Sequence, residues 1–223
     1  MNIQNLSHHN AWDYENGFYW FSHPTRLNKL LAHYELYKQI VDLPGHIFEL
    51  GVYKGASLIR FATFRNALEN DFSRKIVGFD AFGKFPKEGL ALAEDLNFID
   101  EFEEEAGDGL GHQTITDILA KKQFSNIVLE KGNVFETLPL HLAKFPETRI
   151  ALLHLDMDVK EPTEFALDQL FHRVVPNGLI VFDDYNAAPG ASDVFDVFVR
   201  KHKLKIEKLP FYHVPAFVRK TNT

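Results

Sequence analysis

Acidic side chains close the apolar runs of this chain. Glu49 lies in the run His46–Leu50, Asp80 ends Lys75–Asp80, Asp156 and Asp158 end and follow Ile150–Asp156, and Asp183-Asp184 follow Leu179–Phe182. Any one such acid reads as a helix cap or turn former. In an open parallel sheet, however, ligands bind beyond the carboxyl ends of the strands, and these acids would gather at that one edge. Glu49 could there accept from a ligand's ammonium or hydroxyl. Asp80 comes one strand–helix–strand unit later, the position from which an acid holds the paired hydroxyls of a ribose. Asp156, Asp183 and Asp184 come from neighbouring strand ends, and three clustered carboxylates repel unless protonated or bound to a cation. An all-oxygen set suits Mg²⁺, with Mn²⁺ or Ca²⁺ as alternatives, rather than Zn²⁺. His154, two residues before Asp156 and deeper on the same side, reads as a buried structural histidine.

The stretch Phe48-Glu-Leu-Gly-Val-Tyr-Lys-Gly-Ala-Ser57 joins the first strand to a helix through two glycines. Glycines let a ligand approach backbone, and unpaired helix N–H groups attract an anionic group. The elements that must carry these residues alternate. Strands are expected at His46–Leu50, Lys75–Asp80, Asn126–Lys131, Ile150–Asp156 and Leu179–Asp183, with helical patterns at roughly 55–69, 112–123, 136–144, 162–172 and 191–202. The runs Ile150–Leu155 and Leu179–Phe182 are apolar throughout, as strands covered on both faces are, so helices should flank a parallel sheet. Lys203–Leu209 and Tyr212–Arg219 alternate and predict a closing antiparallel hairpin. A helix from Pro24 should bury Leu27, Leu30, Leu31, Tyr34, Tyr37 and Val41.

At 223 residues the chain is read as one domain: an aromatic arm over 1–23 and a body over 24–223 with a lid-like insertion at 83–111. The arm, with Trp12, Tyr14, Phe18, Tyr19, Trp20 and Phe21, is expected either to pack on the body or a second subunit, or to cap the site. The acidic run Glu101–Glu105 reads as a solvated face. A net charge of −7 gives no basic footprint for nucleic acid or an anionic membrane. The absence of cysteine removes disulfides, thiolate metal sites and cysteine nucleophiles. No basic start precedes an apolar core at the N-terminus, so no signal peptide is expected, and the expected location is cytoplasmic.

Taken in order, Glu49-Leu-Gly-Val-Tyr-Lys-Gly55, Phe79-Asp-Ala-Phe82 with Phe85-Pro86, Lys131-Gly132 running into Glu136-Thr-Leu-Pro139, Leu153-His-Leu-Asp-Met-Asp158, Pro176-Asn-Gly178 and Phe182-Asp-Asp-Tyr185 resemble a known family. The chain is similar to class I S-adenosylmethionine-dependent methyltransferases, and within them to the macrocin O-methyltransferase family of metal-dependent sugar methyltransferases. The resemblance implies a single Rossmann-like, doubly wound α/β fold with a mostly parallel seven-stranded sheet. It implies that Glu49, Gly51, Val52, Tyr53, Gly55 and Ser57 hold the methionine part of S-adenosyl-L-methionine, with Asp80 on its ribose, Phe82 and Asn133 near the adenine, and Asp156 also beside the cofactor. Asp156, Asp183 and Asp184 would bind Mg²⁺ or another divalent cation, and Asp158 would be the general base. The partner implied is a small-molecule hydroxyl acceptor, expected to be a sugar, in a chain expected to be a homodimer.

Met157 stands where such proteins usually carry glycine, and Pro162-Thr163 replaces a Ser-Thr pair. Three other readings stay open at this level: a catechol or other diol as acceptor, a nicotinamide-dependent oxidoreductase, and a cofactor-binding module without turnover. The oxidoreductase is disfavoured because the turn lacks Gly-x-Gly-x-x-Gly spacing. His213 is the weaker alternative base.

Overall fold

The computed structural model describes residues 2–221. A two-residue pair, β1 (Asn2–Ile3) and β2 (Leu6–Ser7), precedes helix α1 (Ala11–Phe21) and helix α2 (Thr25–Lys38). The alternation expected from the apolar runs follows: β3 (His46–Leu50), α3 (Ala56–Leu68), β4 (Ile76–Asp80), α4 (Ala93–Ala106), α5 (His112–Lys121), β5 (Ile127–Lys131), α6 (Val134–Lys144), β6 (Ile150–Leu155), α7 (Lys160–Leu170), β7 (Val174–Phe182), α8 (Pro189–His202), β8 (Glu207–Leu209) and β9 (Tyr212–Arg219).

The seven strands of the main sheet run in the order β5-β4-β3-β6-β7-β9-β8. β3 is parallel to both β4 and β6, so the order reverses direction between β3 and β6. Only β9 runs antiparallel to its two neighbours, which confirms the closing hairpin.

Side-chain alternation divides the core in two. Phe48, Leu50, Leu153, Leu155, Ile180 and Phe182 face α6, α7 and α8. Ile47, Leu152, Leu179 and Val181 face α2, α3 and α5. Period two therefore sends Glu49, His154 and Asp183 to the α2/α3 side and Asp184 to the other.

One expectation changes, in the face that α2 buries. α2 buries Ala32, His33, Leu36 and Tyr37, while Leu27 and Leu31 are 37% and 41% exposed. Leu30, Tyr34, Tyr37 and Val41 pack on the core as expected, joined by Leu36, and the same face brings His33 to the Asp183 carboxylate. Within the 83–111 segment, α4 occupies about half the length. α1 buries no residue, its Trp12, Tyr19, Trp20 and Phe21 are largely exposed, and none of the described residues of the arm lines the central cavity.

Candidate active site

At the carboxyl edge of the sheet lies a cavity of about 630 Å³, a size suited to a cofactor-sized ligand. Its floor is the β3–α3 turn. Gly51 has φ +93°, and a Cβ there would lie 1.7 Å from the Asp156 carbonyl oxygen. The ends of β3 and β6 thus touch through backbone alone, and only glycine fits. Gly55, at φ +80°, caps α3 without any side-chain hydrogen bond, leaving that helix's first amides free beside Ala56 and Ser57 on the cavity wall.

Asp80 organises the turn. Its Oδ2 accepts from the Val52 and Tyr53 amides, both at 2.8 Å, and its Oδ1 from the Phe82 amide at 2.5 Å. Tyr53 and Phe82 hold positive φ, +52° and +54°, a cost that these bonds offset. The Tyr53 hydroxyl donates to the carbonyls of Ala106 (2.8 Å) and Gly107 (2.9 Å), fastening the turn to the end of α4. At the other end of α4, buried Asp95 accepts from the Lys160 amide at 2.8 Å. The 83–111 segment is thereby pinned as a wall that contributes Phe85, Pro86, Leu90 and Phe102 to the cavity.

Of the residues expected around the cofactor, Gly51, Val52, Tyr53, Ser57, Asp80, Asn133 and Asp156 line the cavity. Phe82 does not: its ring is buried edge-on against His112 at 5.1 Å, because the left-handed turn points it inward. Phe135 supplies an aromatic ring to the wall instead. Asn133 spends its side chain capping α6, accepting from the Phe135 amide at 3.1 Å. Glu49 and Gly55 also lie off the lining, with Glu49 wholly buried under the floor. His213 is not on the cavity wall either, although Tyr212 and Val214 are.

The four aspartates split. Asp156, Asp158 and Asp184 converge, each offering an oxygen within 4.8 Å of the others. The Asp158 amide donates to Asp184 Oδ2 at 3.0 Å, with Asp158 itself at φ +63°. Burial, followed by the charges of its neighbours, pushes Asp156 and Asp184 well above the ordinary carboxylate range. Burial also raises Asp158, partly opposed by its contact with Asp184. Asp183 lines the same cavity and its charge helps raise the other three, but its own oxygens meet partners from α2 and β6. Its Oδ2 is bound by Lys29, and its Oδ1 lies 3.5 Å from His33 Nε2 and 3.7 Å from His154 Nε2. Burial would raise Asp183, but the two histidines and Lys29 outweigh it and hold the group well below the ordinary range. His154 Nδ1 in turn lies 3.4 Å from Glu49 Oε1. Burial lowers His154, yet Asp183 and Glu49 raise it to about 10. His33, where burial dominates, falls to about 4.

Lys29 and His33 are the partners of Asp183 that sequence reading misses. They stand one turn apart on α2, a spacing that puts them on one face. That spacing, with the parity of Asp183 on β7, is the available signal. Arg26 and Arg60 also line this end of the cavity.

The switch point between β3 and β6, the acids beyond it and the antiparallel closing hairpin define a Rossmann-like methyltransferase fold. A family model for macrocin-O-methyltransferase matches residues 19–219, and the chain belongs to that family. It is 28% identical over 149 residues to the 8-demethyl-8-(2,3-dimethoxy-α-L-rhamnosyl)-tetracenomycin-C 4'-O-methyltransferase of Streptomyces olivaceus, a match covering 64% of this chain and 54% of that relative. The chain thus spans about half the length of this curated relative. Among solved structures it is similar to CalS11, a TDP-rhamnose 3'-O-methyltransferase of calicheamicin biosynthesis, with TM-score 0.72, 27% identity, and coverage of 96% of this chain and 88% of that one. The O-methyltransferase NovP shares the fold at TM-score 0.74 and 20% identity, covering 86% and 79% of the two chains.

Proposed function

We propose that this protein transfers a methyl group from S-adenosyl-L-methionine to a sugar hydroxyl that has a hydroxyl neighbour, with the help of a divalent cation. The observation that carries this reading is the converging Asp156, Asp158 and Asp184. Buried Asp184 and half-buried Asp156 and Asp158 are crowded together, with Asp156 and Asp184 pushed toward protonation, a set whose charge a hard cation would balance. Asp156 and Asp184, common to this trio and to the set read from sequence, would hold the ion. Bound there, the ion would supply Lewis acidity and a fixed point for two neighbouring acceptor oxygens.

The residues of the chain then have separate tasks. The free amides at the start of α3 favour the carboxylate of the methyl donor, and Arg60 lies near enough to the acids to balance charge at that end. Asp80 keeps the Val52–Tyr53 amides in place and has lone pairs left for a ribose. Asp158 takes the acceptor proton, and its raised proton affinity suits a base that works near neutrality. Phe85, Phe102 and Phe135 exclude water from the transfer path and offer flat apolar surface to a sugar ring. A sugar acceptor is supported by the rhamnosyl substrates named for the Streptomyces relative and for CalS11.

The test is methyl transfer from S-adenosyl-L-methionine across a panel of rhamnosides, other sugars and catechols, with Mg²⁺ and with EDTA. Mg²⁺-dependent product on a sugar diol is the expected result. Full activity in EDTA would remove the cation from the mechanism, and product on catechols alone would replace the acceptor class.

A further inference from the structure

Three helices begin together behind the cavity wall, and none of them caps its own first turn. α4, α7 and α8 carry Leu92, Val159 and Ala188 at their N-caps, without a side-chain hydrogen bond. The first amides of such helices need acceptors from elsewhere. α4 and α7 supply one another. Asp95, on the first turn of α4 and 3% exposed, accepts from the Lys160 amide at 2.8 Å, at the start of α7. Glu161, on the first turn of α7, accepts in return from the Ala91 amide at 3.1 Å, just ahead of α4. α8 closes the third side. A Cβ on Gly190 would lie 2.7 and 2.9 Å from the two Asp95 oxygens, so only glycine there leaves the carboxylate room. Both acids also stand at the positive ends of helices.

What this clasp restrains is the turn that carries Asp158. The Val159 amide donates to the Met157 carbonyl at 2.7 Å, closing a three-residue turn about Asp158, whose φ of +63° is the strained hand of such a turn. A residue held there persists only where its surroundings over-determine it. From one side it is held by the bond of its own amide to Asp184 Oδ2. From the other it is held by Asp95, through Lys160. We propose that Asp95 is a positioning residue, which with Glu161 clasps the 83–111 wall to the start of α7 and so keeps Asp158 where it takes the acceptor proton. The role of Asp158 in this rests on the methyl-transfer reading above. Leu90, next to Ala91, and Pro162, next to Glu161, both line the cavity. Wall and base are thus one unit: a wall that swings away releases the turn with it, and the base is set only when the wall is shut.

The experiment reads hydrogen exchange and kinetics on the full-length protein. In Asp95→Ala, the amides of 83–111 and 157–163 should exchange faster together, by about 10–10²-fold, the worth of one hydrogen bond to a charged group. Faster exchange in one segment alone, or in neither, would overturn the clasp. The same variant should lower kcat for methyl transfer by about 10²-fold, as a small misplacement of a reacting group does. Asp95→Asn, which keeps an acceptor oxygen, should recover most of that loss. In an Asp158→Asn background, Asp95→Ala should cost nothing further, because it acts through Asp158; losses that multiply would leave Asp95 a purely structural residue. Gly190→Ala reaches the clasp with the acid still in place. Its methyl crowds the carboxylate and should reproduce both signatures, on a helix that otherwise favours alanine; parent-like exchange and kcat there would also overturn the proposal. Exchange needs no turnover. Coupled exchange in a chain that methylates nothing would remove the methyl-transfer reading and keep the clasp, while uncoupled exchange in an active enzyme would do the reverse.

Discussion

Asp183 and Asp184 are chain neighbours in opposite electrostatic worlds. On the α2/α3 side, Asp183 meets Lys29, His33 and His154, and stays ionised. Asp184, which lines the same cavity, meets Asp158 and Asp156 and is pushed toward its protonated form by burial and then by their charges. One region carries its own cations, whereas the other is left for a cation from outside. Burial alone does not decide what a carboxylate does; the charge its neighbours bring decides it.

The largest test of that contrast is Asp156→Asn with Asp184→Asn. Removing the outward-looking pair should lower kcat/KM by about 10³-fold or more, given the several kcal/mol a bound cation contributes. Retained activity would erase the difference between the two regions. Asp158→Asn should lower kcat by about 10²–10⁴-fold, while calorimetry shows donor affinity unchanged. A shared loss of both would make Asp158 a binding residue rather than a base.

Breaking the self-balanced side should instead affect stability. In chelator-treated protein, Lys29→Met leaves Asp183 without its cation and should cost about 3–5 kcal/mol in urea unfolding. Adding Asp183→Asn should recover most of it, since the buried charge then goes as well. The alkaline limb of stability carries a smaller signature. His154 is raised to about 10 in the folded protein, against an ordinary histidine value of 6.5. Its contribution is complete below pH 6.5 and is lost as pH rises through about 10, and His154→Gln should flatten that limb. Least of all, Tyr53→Phe removes the hydroxyl bonds to Ala106 and Gly107. It should cost about 1 kcal/mol and raise KM for the acceptor more than for the donor.

The fold is legible because its strands are apolar on both faces and their acids sit where strands stop. That pattern survives any detail of packing. β7 begins at Val174 rather than Leu179, since Pro176-Asn-Gly178 looks like a turn and is carried inside the strand as an irregularity, with Asn177 at φ +64° and the Asn177 amide and Gly178 carbonyl bonded to Lys220. α4 is hidden because its apolar residues, Phe98, Ile99 and Phe102, lie among acids that mask the helical period. Within the site, the identities of the acids can be read but their partners cannot. Phe82 defeats a reading by type because one left-handed residue reverses where a side chain points, and nothing in its type announces that. Sequence adjacency groups Asp183 with Asp184, although strand parity separates them.

The origin of Lys29 and His33 has a consequence for cutting the chain. Both lie on α2, ahead of the first strand of the alternating fold, and α2 packs on α3 and β9. A fragment beginning at His46 would hold every strand of the main sheet and every acid at its edge, yet neither of those two side chains. It would be topologically whole and chemically unbalanced. Cutting there would take away one helix and, with it, both the counter-charges of Asp183 and the buried Leu36 and Tyr37 that cover one side of the sheet.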